Sequence, residues 1–242
     1  MRSMSLIAYI ACLIGFVSFP SACLPKAANA PVKSKPIIRY DANGIPNFMK
    51  GGNLSAPLDG DPAFQNLKRK NLYADIALYF LDSRRALFQL TSAHDEFEVS
   101  EITSDSLKQK HIKLQQVFGD LPVWGKQVTI HLDRDNRVYF FQGHYQPIAT
   151  HLNTMAAITR QAARQLALQT RTPAAQWRVQ YVTACIWAPS DKFQRLAYQV
   201  TLVKNGVYRE QCLVDAVDQS LLHCLSATPD QSPPMLRRRK SR

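Results

Sequence analysis

The sequence has little of what most enzymes display. Its six histidines are scattered through 242 residues, and none forms H-E-x-x-H, in which two imidazoles at i and i+4 share a metal and the glutamate acts as base. His94-Asp95-Glu96 comes nearest, and no second histidine follows at the required spacing. There is no G-x-S-x-G elbow to present a nucleophilic serine. Among nine glycines only Gly51 and Gly52 are adjacent, without the lysine and hydroxyl residue of a phosphate-cradling loop. Five cysteines include no C-x-x-C pair. Asp133 and Asp135 are close in sequence, but within an Asp-Arg-Asp-Asn turn they read as turn formers rather than as a glycosidase pair. Zinc-finger spacing and paired aromatics beside a basic helix are also missing, so nucleic acid is not an expected partner. These absences exclude the common hydrolytic, phosphate-binding and nucleic-acid classes. No catalytic residue, cofactor or metal is expected.

What remains is a chain with 46% hydrophobic content, enough for a real core in one or two modest domains. The net charge of +12 is uneven. The final MLRRRKSR holds five basic side chains and no acid, which suits an anionic membrane or an acidic partner protein. At the other end Arg2 precedes the apolar run Leu6–Phe19, of signal-peptide length and too short to span a bilayer. Residues 1–22 are the expected signal segment; Ala28-Asn29-Ala30 offers a second cleavage point near residue 30. Ser21-Ala22-Cys23 resembles the end of a lipobox, which makes Cys23 a lipidation candidate. Export to the periplasm, outer envelope or medium permits disulfides. Cys212 and Cys224 flank LVDAVDQSLLH, and a hairpin centred near Asp218 sets them opposite each other. A bridge there closes a loop of about thirteen residues, worth roughly 3 kcal/mol. Cys185 with Cys212 is the rival pairing; otherwise Cys185 is a small buried residue.

The expected elements follow from periodicity. Residues 23–36, rich in Ala, Pro and Lys, read as a flexible leader. Ile37–Pro57 reads as short strands and turns, and Leu72–Leu81 has helical spacing. Leu87–Leu90 and Phe97–Ile102 are strand candidates. A three-stranded meander follows: Lys110–Phe118, the Gly119-Asp120 turn, Val123–Leu132, the Asp133–Asn136 turn, and Arg137–Gly143. After a connector carrying His151, Thr159 caps a helix to about Gln169, and Pro173 stops it. Trp177–Trp187, Leu196–Lys204, Val207–Val214 and Leu221–Leu225 read as strands, with Asn205-Gly206 as a hairpin turn. Residues 227–242 are Pro-rich and then cationic, and read as a disordered tail.

The run D-S-L-K-Q-K-H-I-K-L-Q-Q-V-F-G-D-L-P-V-W-G, with its following D-x-D-N-R-V hairpin and Gly143, resembles the propeptide of thermolysin-type and fungalysin-type metalloproteases. That family carries H-x-x-x-Q-x-x-x-x-G-x-P-V-x-G; His111, Gln115, Pro122, Val123 and Gly125 fit it. Asp120 stands at the central glycine, with Gly119 one residue early. Further on, Val214, Asp215, Ala216, Leu221 and Leu222 resemble the V-D-A-x-T-G-E-V-L close of the small peptidase-propeptide (PepSY) module, with Asp218, Gln219 and Ser220 in place of Thr-Gly-Glu.

The resemblance implies an α+β fold of two small modules, each with a helix packed on an antiparallel sheet, over residues 37–148 and 155–226. It also implies a partner, a thermolysin-like metalloprotease whose zinc belongs to that partner. The protein is then expected to inhibit the protease or help it fold. The alternatives are an envelope-anchored structural protein, held by Cys23 or the basic tail, and the remnant of a longer protease.

Overall fold

A computed structural model describes residues 35–227. The expected signal segment, Cys23, most of the leader and the basic tail lie outside the described residues. The fold is α+β and strand-rich. Six strands make the first sheet: β1 (Ile37–Tyr40), β2 (Pro46–Lys50), β3 (Phe97–Ser104), β4 (Lys110–Phe118), β5 (Leu121–Leu132) and β6 (Val138–Gly143). Their order is β1-β2-β6-β5-β4-β3, and every pairing among them is antiparallel. Alternation places Ile112, Leu114, Val128, Ile130, Leu132 and Phe141 on one face, where all are buried.

Four helices cover that face. In α1 (Pro62–Arg69) the Asp61 carboxylate caps the Ala63 N–H, Pro62 opens the helix, and Lys68 and Arg69 occupy the last turn. The second helix, α2 (Tyr73–Asp82), buries Ile76, Ala77, Leu78, Phe80 and Leu81. The third, α3 (Arg85–Phe88), corrects the strand expected over Leu87–Leu90. Phe88 and Leu90 must both reach the core directly below α2. A helical turn achieves this through bonds from Phe88 N–H to Arg84 O and from Leu90 N–H to Arg85 O, and Gln89 reverses the chain at φ 56°. The short α4 (Ala93–Glu96) is capped by Ser92.

The second group of strands, β7 (Trp177–Ser190), β8 (Phe193–Lys204), β9 (Tyr208–Asp215) and β10 (Leu221–Ala227), is an antiparallel run in sequence order. Helix α5 (Arg160–Gln169) lies on it, its N-terminus capped by the Thr159 hydroxyl on the Ala162 N–H. Ala163 and Ala167, one turn apart, are the fully buried contacts of α5, and such small side chains allow a close approach to Val200, Leu202 and Val214.

The two sheets are continuous. Strand β6 covers only the Val128–Leu132 half of β5, so the other half has a free edge. There β7 pairs with β5 in parallel, at Val123 and Ile186. This join is a feature the periodicity does not announce. A disulfide links Cys212 to Cys224 across β9 and β10, twelve residues apart, and Cys185 is a buried free thiol. Replacing Cys224 with Ser is expected to destabilise the protein by about 2–4 kcal/mol, read as a lower urea midpoint, with a slope equal to or steeper than that of the bridged chain because the unfolded state is less compact.

Candidate functional site: the joint between the sheets

The propeptide-like residues gather where β4, β5 and β7 meet. Between Gln115 and Val117 strand β4 advances two residues, while β5 advances from Gln127 back to Pro122. Residues 123–126 therefore leave the ladder as a bulge. A bulge frees carbonyls that need partners. The Gln115 carboxamide supplies them. Its Nε2 lies 2.8 Å from Val123 O, 3.0 Å from Lys126 O and 2.9 Å from Gln116 O. Its Oε1 accepts from Gln127 Nε2 at 2.8 Å. Gly125 adopts φ +69° inside the bulge and Gly119 adopts φ +57° at the preceding turn. Gly119 thus does the turning, and Asp120 beside it needs no glycine geometry. The next residue, Gln116, is also buried and spans to the end of the module, donating to Gln146 O at 2.6 Å and accepting from Gln146 N at 3.0 Å.

The bulge has a directional result. Val123 and Trp124 are consecutive, so they enter opposite faces of the second sheet. Val123 is fully buried on the α5 side with Ile186, Val200 and Val214. Trp124 closes over Cys185, Ala197 and Leu213 on the other side, edge-on to His223 at 5.9 Å. One strand of the first module thereby plugs both faces of the second.

His111 does not join this cluster. It sits across from His131, the two Nδ1 atoms 2.6 Å apart, with Asp105 3.4 Å from His111 Nε2. One imidazole must donate and the other accept. His131 stacks on Phe140 at 4.7 Å, and its Nε2 is buried without a partner. Burial first, and then the neighbouring His111, push the His131 imidazolium down from 6.5 to about 4. Burial opposes the Asp105 carboxylate, but N–H groups of Gln109 and Leu107, with His111, hold it below its ordinary range.

Asp215 ends β9 and Ala216 follows it, buried in the same core as Val123 and Ile186. The Asp215 carboxylate accepts N–H bonds from Val217 and Asp218 at 2.7 and 3.1 Å, and binds Arg195 at 2.8 Å. Ala216 O receives the N–H groups of Ala157 and Ile158, which anchor the start of α5. Gln219 occupies the glycine position of the resembled motif and takes a left-handed backbone, φ +64°. The Glu96 carboxylate of the sequence His94-Asp95-Glu96 caps the N–H groups of Thr91 and Ser92 and accepts from the Tyr145 hydroxyl. Asp133 ties its own turn through the N–H groups of Asp135 and Arg137. Burial pushes the Cys185 thiol up to about 12. No cluster of three or more potential metal ligands occurs among the described residues.

Comparison with known proteins places a family motif over this region. Residues 95–145 match the Fungalysin/Thermolysin Propeptide Motif, so the chain carries a propeptide motif of that type. The Glu96–Tyr145 hydrogen bond joins the two ends of the matched segment. A bacillolysin of Brevibacillus brevis is 32% identical over 75 residues, which is 30% of this chain and 14% of that protein. Two solved structures overlap loosely. The C-terminal domain of Bacillus megaterium YpeB is 11% identical with a TM-score of 0.36, covering 81% of this chain and 87% of that one. A protein of Clostridium difficile 630 described as a lipoprotein is 12% identical with a TM-score of 0.25, covering 64% and 92%. Overlaps at that level carry no functional weight.

Sequence reasoning did not find Trp124 as a plug, Gln116 as a tie or His131 as the partner of His111. Only the last had a signal: His111 and His131 fall opposite each other once the meander is drawn.

Two outcomes test the site. Gln115→Leu leaves the bulge carbonyls unsatisfied and is expected to cost about 2 kcal/mol or more, read by urea unfolding. The second concerns pH. The unfolded chain protonates His131 near 6.5 whereas the fold resists until about 4, so stability is fully present above pH 6.5 and declines as pH falls through that window. In His131→Phe the decline between pH 6.5 and 4 is expected to be shallower, measured as urea midpoints across the range.

Proposed function

We propose that this protein is a non-catalytic, propeptide-like module that binds the catalytic domain of a thermolysin-type metalloprotease as a separate chain, inhibiting it or assisting its folding. The observation that carries the reading is the propeptide motif at residues 95–145. The residues that fit the motif spacing are spent on architecture: Gln115, Pro122, Val123 and Gly125 build the joint, and His111 pairs with His131. What they produce is a preformed, continuous pair of sheets, the kind of surface that binds without a large ordering cost. The second module, by its V-D-A close, is read as the PepSY-like companion of the first. A net charge of +12 favours encounter with an acidic protease surface. Export, and anchoring through Cys23 or the basic tail, belong to the same reading, because the apolar run Leu6–Phe19 after Arg2 reads as an export signal.

The experiment mixes purified protein with an active thermolysin-type protease, and separately with its denatured catalytic domain. Inhibition that weakens as salt rises, or a higher yield of refolded protease, is the expected result. No effect on activity and none on refolding, across several such proteases, overturns the proposal.

A further inference from the structure

Three strands end the sheets among the described residues, β1, β3 and β10, and they are not alike. An exposed edge offers unpaired N–H and C=O groups, and soluble proteins normally blunt it with charge, brevity or a bulge. Strand β1 is four residues long and carries Arg39. Strand β3 carries Glu98 and Glu101 and is interrupted by an irregularity between Val99 and Glu101. Strand β10, LLHCLSA, contains no Asp, Glu, Lys, Arg or Pro. Leu221 and Leu225 on it are 42% and 45% exposed.

The disulfide fixes which backbone groups this edge presents. Cys212 and Cys224 are register partners with Cα atoms 4.1 Å apart, the close spacing of a non-hydrogen-bonded antiparallel pair. At such a pair the N–H and C=O of each residue point away from the partner strand. Cys224, and Ser226 two residues on, therefore aim their backbone groups outward, and the disulfide staples β10 in that attitude. The chain beyond β10 is poorly suited to fill the edge itself, since Pro229, Pro233 and Pro234 lack the N–H that a ladder needs.

We propose that the outer edge of β10 is a β-augmentation site that takes an extended, uncharged segment of the protease partner, paired through Cys224 and Ser226 and flanked by Leu221 and Leu225. This rests on the function proposed above. Two variants test it. Ser226→Pro removes an outward N–H while leaving the bonds to β9 intact. Leu221→Lys with Leu225→Lys charges the edge without touching the backbone. Both are compared with wild type for binding to a thermolysin-type catalytic domain whose H-E-x-x-H glutamate is changed to Gln, with melting temperature as the control for folding. A dissociation constant raised tenfold or more in both, together with slowed hydrogen exchange at the Cys224 and Ser226 amides in the wild-type complex, is expected. Tight binding by folded variants overturns the edge proposal and leaves the function standing. No binding by wild type overturns the function and this site with it. A wild-type homodimer that Ser226→Pro disperses gives the edge to a second copy and overturns the assignment to the protease.

Discussion

A single carboxamide holds the architecture together. Strand β5 has to serve two sheets, and it can do so only by leaving the β4 ladder for a few residues. That departure strands backbone carbonyls in a buried place, where an unpaired polar group costs far more than an exposed one. Gln115 meets the demand from the neighbouring strand, with Gln127 fixing its orientation. Only then can Val123 and Trp124 point into opposite sides of the second sheet. Glutamine suits the place because one amide provides two donors and an acceptor on a stem long enough to cross the bulge.

The meander, helix α5 with its Thr159 cap, and the four late strands were legible because period and punctuation agree in each. The region before β3 was less so. Helix α1 carries an Asp61 cap followed by Pro62, a start signal that the polar run behind it conceals. Helices α3 and α4 are a single turn each, too short for periodicity to separate helix from strand. The join between the sheets is a matter of strand length: β5 outruns β6, and no local pattern records that difference. For the site, the motif spacing pointed to the right residues without their roles. Sequence cannot show that Gln115 reaches Val123 O and Lys126 O, since those contacts depend on a bulge.

The groups that elsewhere signal chemistry are here engaged in structure. Glu96 caps a turn and receives Tyr145, Asp133 closes a hairpin, and Asp215 knots the end of β9 to Arg195. Each accepts N–H or hydroxyl donors that tie the local backbone or a neighbouring side chain in place. The feature of the chain that bears on function is the propeptide motif at residues 95–145.

The position of Cys185 bears on how the bridge survives once formed. Shuffling of a disulfide requires a thiolate as attacker. Cys185 lies on the Trp124 side of the sheet, whereas Cys212 lies on the α5 side. With its thiol pushed up to about 12, Cys185 holds almost no thiolate near neutrality. Among the described residues the third cysteine is thus chemically silent, and the bond between β9 and β10 has no rival there.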